Sequence, residues 1–234
     1  MALPVIDTPK YSVKVPSTGE KILFRPYLVK EEKILMMAME SEDQEQILRA
    51  VKDIIAACTY GKVDVDSLAI FDLEFLFLKL RAKSVGETSR VGLNCNSCST
   101  SNEVEIPIDS IEVQLGEKGN NIIKLTDKVG ITLKYPSVKD AEKISKLTGG
   151  VDTIMKTIVM CIDNIFDEDK VYPAKDSTPK ELEAFIDSLN SEQFKKIQVF
   201  FESMPTLKHT VKYKCEHCGA DNEFELRGLA NFFG

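Results

Sequence analysis

Two short segments of the 234-residue chain repeat one pattern of cysteines, and they restrict its fold more than any other feature. The first spans 91–106 and the second 211–226, and each residue of the second follows its counterpart by 120 positions, as Cys215 follows Cys95. In both, apolar and polar residues alternate before and after a Cys-x-x-Cys turn, a pattern typical of a β-hairpin. We therefore predict two hairpins, each with a cysteine-bearing turn.

The cysteines of these turns are predicted to hold one structural zinc ion; they are Cys95, Cys98, Cys215 and Cys218. Two Cys-x-x-Cys pairs supply four thiolates, which complete a tetrahedral shell with bonds of roughly 2.3 Å. Such a shell leaves no position for water or substrate, so the site is expected to be structural rather than catalytic. Because 116 residues lie between Cys98 and Cys215, the ion would join the middle of the chain to its C-terminal part.

Three alternatives to a zinc site within one chain stay open for these cysteines. They are two disulfides or one redox-active pair, two half-sites that share zinc across a dimer, and reduced cysteines without metal. His217 lies inside the second turn and is interpreted as an exposed loop residue, while His209 is interpreted as an ordinary strand residue. Cys58 and Cys161 fall in apolar helical patterns and are expected to be small buried side chains.

Charge and hydropathy narrow the function classes. A net charge of −7 and a pI near 5.1 argue against a general nucleic-acid binder, which would present a basic face. The sequence has no 18-residue apolar run, so no transmembrane helix is expected, and its first residues do not have the pattern of a signal peptide. We therefore expect a protein of a reducing cytoplasm, which favours zinc over disulfides.

The order of elements predicts an α+β fold made of two similar halves, residues 1–110 and 111–234. Each half would carry a β-hairpin, helices and a zinc-knuckle hairpin, with the two knuckles sharing one zinc in a single compact unit. In the first half, alternation predicts a hairpin within 11–28 and a helix from Val29. Ser41 is expected to open the next helix through a capping box, and Asp72 is expected to cap a third.

The second half repeats this plan with one more helix. Alternation predicts a hairpin within 121–135, and helices are expected after Ser137, from Val151, after Thr178 and from a cap at Ser191. The acidic run 167–169 is interpreted as a solvated turn rather than a cation site. The two halves are interpreted as an internal duplication; outside the knuckles they match weakly, and chance similarity of helical patterns is the alternative.

No catalytic arrangement is found in the sequence, and the chain is predicted not to be an enzyme. It has no phosphate-binding loop, no glycine fingerprint for a dinucleotide and no nucleophile elbow. Two histidines, one of them inside a cysteine turn, leave few groups for acid–base catalysis at neutral pH. No small-molecule substrate is therefore expected.

The segment Tyr-Ser-Val-Lys-Val-Pro-Ser-Thr-Gly-Glu-Lys-Ile-Leu-Phe-Arg-Pro-Tyr-Leu-Val-Lys, which starts at Tyr11, resembles the T4-type bacteriophage baseplate family. The segment 71–86 and the first Cys-x-x-Cys are similar to that family too. The resemblance implies a hub assembly or hub structural protein of the tail baseplate. Its partners would be other baseplate hub or spike proteins, and it would act in the host cytoplasm during assembly or in the virion tail baseplate.

Apolar residues outside the knuckles are the candidates for partner contact: Phe75, Leu78, Leu229, Phe232 and Phe233. Packing on the protein's own core is the alternative for all of them.

Two other functions stay open. A zinc-ribbon module that binds nucleic acid or a transcription complex would use the basic residues Lys208, Lys212, Lys214 and Arg227. A thiol–disulfide oxidoreductase would need a thiol of lowered pKa and no zinc.

Overall fold

The computed structural model describes residues 6–115, 121–147 and 149–228 of the chain. Within these residues it has seven α-helices and ten β-strands, which confirms the α+β class. They fall into two compact units, of which the first combines Met1–Gln114 with Thr206–Gly234 and the second is Leu115–Pro205. None of the helices in the described ranges has the length and apolar character needed to cross a membrane.

In chain order, the elements are β1 (Tyr11–Lys14), β2 (Lys21–Phe24), α1 (Val29–Glu40), α2 (Gln44–Cys58), α3 (Ile70–Ser84), β3 (Ser89–Asn94), β4 (Ser101–Ile106), β5 (Ile122–Lys124), β6 (Gly130–Leu133), α4 (Val138–Ile144), α5 (Val151–Met160), β7 (Ile162–Phe166), β8 (Val171–Pro173), α6 (Pro179–Asp187), α7 (Ser191–Glu202), β9 (Lys208–Lys214) and β10 (Asp221–Arg227). The first unit contains three antiparallel pairs, β1–β2, β3–β4 and β9–β10, and the second contains one antiparallel sheet, β5–β6–β7–β8.

Helix α3 lies at the centre of the first unit. Phe75 is 4% exposed and Leu78 is fully buried, in one cluster with Ile106 of β4 and Val211 of β9. Side chains on both faces of this helix are apolar because both faces meet protein. Phe75 and Leu78, expected as partner contacts, therefore belong to the core and offer no surface to another protein. The other candidates for partner contact, Leu229, Phe232 and Phe233, lie outside the described residues.

Three helix starts differ from the sequence prediction, and the simplest case is α7, which Asn190 caps instead of Ser191. Helix α2 begins after Asp43, whose carboxylate accepts hydrogen bonds from the N–H groups of Glu45 and Gln46, whereas Ser41 closes α1. Helix α3 begins after Ala69, which places Asp72 inside its first turn. Asp72 is buried and accepts hydrogen bonds from the backbone N–H and the hydroxyl of Ser17. A long-range partner thus uses the carboxylate that the local pattern assigned to a cap.

The second unit packs its sheet against helices α5, α6 and α7. Its core includes Ile131 of β6, Ile162 of β7 and Ile197 of α7, all fully buried or nearly so. Strands β7 and β8 were not predicted from the sequence. The acidic run between them is a hairpin turn, in which the Asp167 carboxylate accepts hydrogen bonds from the N–H groups of Asp169 and Lys170.

Residues 206–228 group with the first unit, although they follow the second unit along the chain. Both cysteine-bearing hairpins therefore belong to one compact body. The halves 1–110 and 111–234 describe a repeat of element order rather than these units, and that division stays a prediction.

Candidate metal centre

The two cysteine-bearing hairpins have the same backbone geometry. In the first, Asn94 pairs with Ser101, and the N–H of Cys95 donates to the carbonyl of Thr100 at 2.9 Å. In the second, Lys214 pairs with Asp221, and the N–H of Cys215 donates to the Ala220 carbonyl, again at 2.9 Å. Each pattern predicted from the sequence thus forms a hairpin with its Cys-x-x-Cys at the turn.

A residue of positive φ closes each cysteine turn. Ser99 has φ +58° and Gly219 has φ +71°, and their N–H groups donate to the carbonyls of Cys95 and Cys215 at 2.9 Å. Glycine adopts this backbone conformation easily, whereas serine does so at some cost. The turn therefore holds its shape in the first hairpin despite a less suitable residue.

The four sulfur atoms of these turns lie together. Cys95 Sγ is 3.6 Å from Cys218 Sγ, and Cys98 Sγ is 3.7 Å from Cys215 Sγ, so each close pair joins one hairpin to the other. All four sulfurs lie within 4.8 Å of one another. Four cysteines distant in sequence thus converge at one point of the first unit, where they could hold a metal ion.

The two close sulfur–sulfur distances fit a tetrahedral metal ion. A regular tetrahedron with metal–sulfur bonds of about 2.3 Å has edges of about 3.8 Å. The two cross-hairpin distances, 3.6 and 3.7 Å, are close to that value. They are also far longer than a disulfide bond of about 2.05 Å, and all six cysteines are free thiols in this structure.

Backbone N–H groups favour the thiolate form of one cysteine in each turn. The pKa of Cys95 is lowered to about 6, because the N–H groups of Cys98 and Ser97 donate to its sulfur. The pKa of Cys215 is lowered by the N–H of Cys218 and also by that of His217. Metal ligands and reactive thiols both need the thiolate, so this shift does not distinguish them.

Cys218 shows the opposite shift. The N–H of Ala220 lowers its pKa, but hydrogen bonding with the Cys98 thiol, desolvation and contact with Cys95 outweigh this and raise the pKa to about 12. Thiols packed this closely share protons, since a second negative charge beside the first is unfavourable. A divalent cation removes that conflict by balancing the charges of the thiolates.

Two asparagines complete the site, and the sequence reasoning did not identify them. The Asn222 side-chain oxygen accepts a hydrogen bond from the N–H of Asn96, and its amide lies 3.5 Å from Cys95 Sγ. The Asn102 side-chain oxygen accepts one from the N–H of Glu216. The signal that could have found them is an asparagine repeated at matching positions of the two segments, on the strand face that is otherwise apolar.

The two histidines and the two other cysteines lie outside the four-cysteine group. His217 is exposed and is not part of the four-cysteine group, and His209 lies in β9. Cys58 and Cys161 are fully buried, as expected, and burial raises the pKa of their thiols to about 11 and about 12. Neither thiol is activated for chemistry.

Two of the four basic residues of the nucleic-acid hypothesis lie opposite acidic ones, whereas Lys208 and Arg227 lie opposite each other and Arg227 pairs with Glu225. Lys212 pairs across the strands with Glu223, and their charged groups are 3.4 Å apart. Lys214 faces Asp221 in the same ladder. Cross-strand neighbours of opposite charge neutralise each other, so at Lys212 and Lys214 this hairpin does not present an uncompensated basic stripe.

Comparison with known proteins gives a consistent result. Residues 8–234 match the family model described as T4 bacteriophage base plate protein. A curated relative, the baseplate hub assembly protein gp26 of Enterobacteria phage T4, is 28% identical over 225 residues, which cover 96% of this chain and 97% of the relative. No solved structure gives a significant match. The resemblance inferred from the sequence is thereby confirmed, and the chain belongs to the T4 bacteriophage base plate protein family.

Proposed function

We propose that this chain is a non-enzymatic protein that builds the hub of a phage tail baseplate. The observation that supports this most is its similarity, over nearly the whole of both chains, to the hub assembly protein of phage T4. It acts through contacts with other baseplate hub or spike proteins. That action takes place in the host cytoplasm during assembly, and the virion tail baseplate is the second location that we propose.

The cofactor of this proposal is one structural zinc ion held by the four clustered cysteines. Four clustered thiolates are the donor set that zinc takes in closed, non-catalytic sites. When bound, the ion supplies cross-links between residues that are far apart in sequence. The chain's own part is to present two hairpin turns whose N–H groups already stabilise thiolates.

The outer face of helix α1 is the partner surface we propose. Ile34 and Met37 are 44% and 62% exposed, and they lie three residues apart on one face of this helix of the first unit. Large apolar side chains that share an exposed face mark protein–protein contact sites more often than single ones do. Methionine adapts its shape to a partner because its side chain is unbranched and flexible.

Internal duplication is the proposed origin of this fold. The N–H of Arg25 donates to the carbonyl of Cys58 at 3.0 Å, and the N–H of Lys134 donates to the carbonyl of Cys161 at 2.8 Å. In each unit the donor follows a β-hairpin, and the acceptor is a buried cysteine at the end of the second helix after it. The same long-range contact thus occurs at corresponding points of both units.

The helix that follows each of these hairpins begins in the same way. Glu31 accepts the N–H of Leu28 in the first unit, and Asp140 accepts the N–H of Ser137 in the second, so both helices start with a carboxylate at the third position. Glu31 also pairs with Arg25 at 2.9 Å. Matching caps and matching contacts support a duplication more strongly than similar helix patterns do.

The test of the hub role is co-expression of the tagged chain with the other hub and spike proteins of the same phage. We expect at least one of them to co-purify with the chain. Met37→Glu should then lower its recovery by about tenfold, since one charged group at the centre of an apolar contact commonly costs at least that much. Val199→Glu is the matched control, because Val199 is an exposed apolar helix residue of the other unit.

Infection with a phage that lacks the gene tests the same role in the cell. We expect lysates without complete baseplates in electron micrographs, and rescue by the wild-type chain. Normal baseplates in the absence of this chain would contradict the proposal. Recovery of nucleic acid instead of hub proteins, weakened by salt, would support the zinc-ribbon alternative.

A further inference from the structure

An apolar groove of about 750 Å³ runs between the three helices of the first unit. Helix α1 lines it with Leu35, Met36 and Met39, helix α2 with Ile47, and helix α3 with Leu73. This face of α1 differs from the outer face that carries Ile34 and Met37. The groove is therefore a separate surface from the one proposed above for the hub partner.

The methionines of the groove are poorly covered by described residues. Met36 is 57% exposed and Met39 is 46% exposed, although both lie beside a concave apolar surface. A concave apolar surface of this size binds a ligand or another segment of protein more often than it stays hydrated.

The chain itself arrives at this groove. Gly228 belongs to its lining, and the Gly228 N–H donates to the carbonyl of Leu207 at 2.9 Å. A Cβ added to Gly228 would lie 3.3 Å from Glu74 Oε1, so its backbone runs close against helix α3. Its φ of +69° is a left-handed conformation, which glycine adopts readily and which turns the chain direction.

The sequence after Gly228 has the chemistry that the groove requires. It reads Leu-Ala-Asn-Phe-Phe-Gly, with three large apolar side chains in six residues. Six residues reach roughly 20 Å when extended, and the twelve residues of helix α1 span about 18 Å. Phenylalanine rings make favourable contacts with methionine sulfur, and both groove methionines lie on the α1 wall.

We propose that the groove between α1, α2 and α3 binds the chain's own C-terminal segment, residues 229–234. The covalent connection at Gly228 favours this occupant, because a tethered segment has an effective concentration of about millimolar or more, above that of most free partners. This inference stands apart from the hub role, since neither its site nor its test involves another baseplate protein.

Methionine-methyl NMR of the full chain tests the proposal without removing residues. Phenylalanine rings shift the resonances of methyl groups near their faces, so the methyl signals of Met36 and Met39 should move when Phe232 and Phe233 are both changed to Leu. Met37 is the internal control, because it lies on the outer face of the same helix and its signal should not move. Unchanged signals at all three methionines would overturn the proposal.

A peptide competition identifies the occupant. A labelled peptide of residues 229–234 should bind the chain that ends at Gly228, and Met36→Glu should weaken that binding at least tenfold, whereas Met37→Glu should change it less than twofold. The full chain should not bind the peptide. Equal binding to both chains would overturn the proposal and leave the groove to a partner protein. Methyl shifts that disappear on dilution, together with a dimer in light scattering, would assign the groove to a second copy and overturn it too.

Discussion

Asn102 and Asn222 make the same hydrogen bond in opposite directions across the two cysteine-bearing hairpins. The Asn222 oxygen accepts the N–H of Asn96 at 2.9 Å, and the Asn102 oxygen accepts the N–H of Glu216 at 3.0 Å. Each amide also donates to a carbonyl of its own hairpin, that of Thr100 or of Ala220. The two turns are therefore positioned against each other by protein groups, in addition to any bound metal.

Asn222→Ala should lower the free energy of unfolding by about 1–3 kcal/mol, because the N–H of Asn96 loses its acceptor in a poorly hydrated place. Asn102→Ala should have a similar effect through Glu216. Urea unfolding of protein loaded with equal amounts of zinc measures the change. The matched control is Asn96→Ala, which removes an exposed side chain from the same turn and should cost less than about 0.5 kcal/mol. Equal losses in all three variants would contradict this account.

Elemental analysis should find one zinc ion for each chain, and Cys95→Ser should abolish it. Cys58→Ala should keep the ion, because Cys58 is buried away from the four clustered thiols. A chelator should lower the melting temperature of the wild-type protein, since metal-binding free energy, about 10–16 kcal/mol in zinc-finger peptides, contributes to folding. One ion for two chains, in a dimer, would show that the turns pair between molecules. Disulfides in place of zinc would favour the redox alternative.

Leu78→Ala should destabilise the protein by about 2–5 kcal/mol, the range for removing a buried leucine side chain beyond its β-carbon. Leu78 is fully buried in the cluster that joins α3 to the cysteine-bearing hairpins. Val85→Ala, at a position that is 55% exposed just beyond the same helix, should change stability by less than about 0.5 kcal/mol. If Leu78→Ala abolished the binding of a hub partner but left the free energy of unfolding unchanged, Leu78 would belong to the partner surface instead.

Asp140→Asn should make stability less dependent on pH. Desolvation raises the pKa of this carboxyl, but hydrogen bonds from Ser137 and the charge of Lys134 together lower it below its ordinary 3.8. A lowered pKa means that the ionised group stabilises the fold above the unfolded value, and that this contribution is lost as the pH falls through the folded pKa. We expect the variant to be less stable at pH 7 by at most about 1 kcal/mol.

At about pH 3, below the ordinary pKa of the group, that difference should shrink towards zero. Urea unfolding at the two pH values measures it. Asp127→Asn is the control, an exposed turn aspartate of the same unit, and it should show little difference at either pH. Both variants lose bound metal alike in acid, so the comparison isolates Asp140. A stability difference between the wild-type protein and Asp140→Asn that grows as the pH falls would contradict a lowered pKa of Asp140.

Local patterns predicted much of this protein. The alternation around each Cys-x-x-Cys requires only neighbouring residues, and both hairpins form where it predicted them. The helix starts after Ser137 and Thr178 were also predicted, because a cap is made within four residues. Where a distant group competes, local reasoning failed: Asp72 is held by Ser17, which lies 55 positions away, and so does not cap α3.

The sequence by itself determined the family, the two cysteine-bearing hairpins and the residues that could hold a metal. Only the tertiary structure decided that both hairpins belong to one unit, that their sulfurs converge within 4.8 Å, and that Phe75 and Leu78 are core rather than surface. The physical reason is the distance along the sequence between the residues that interact. Hydrogen bonds of turns and caps are settled by residues a few positions apart, whereas burial and metal geometry depend on packing between segments more than a hundred residues apart, which no local pattern encodes.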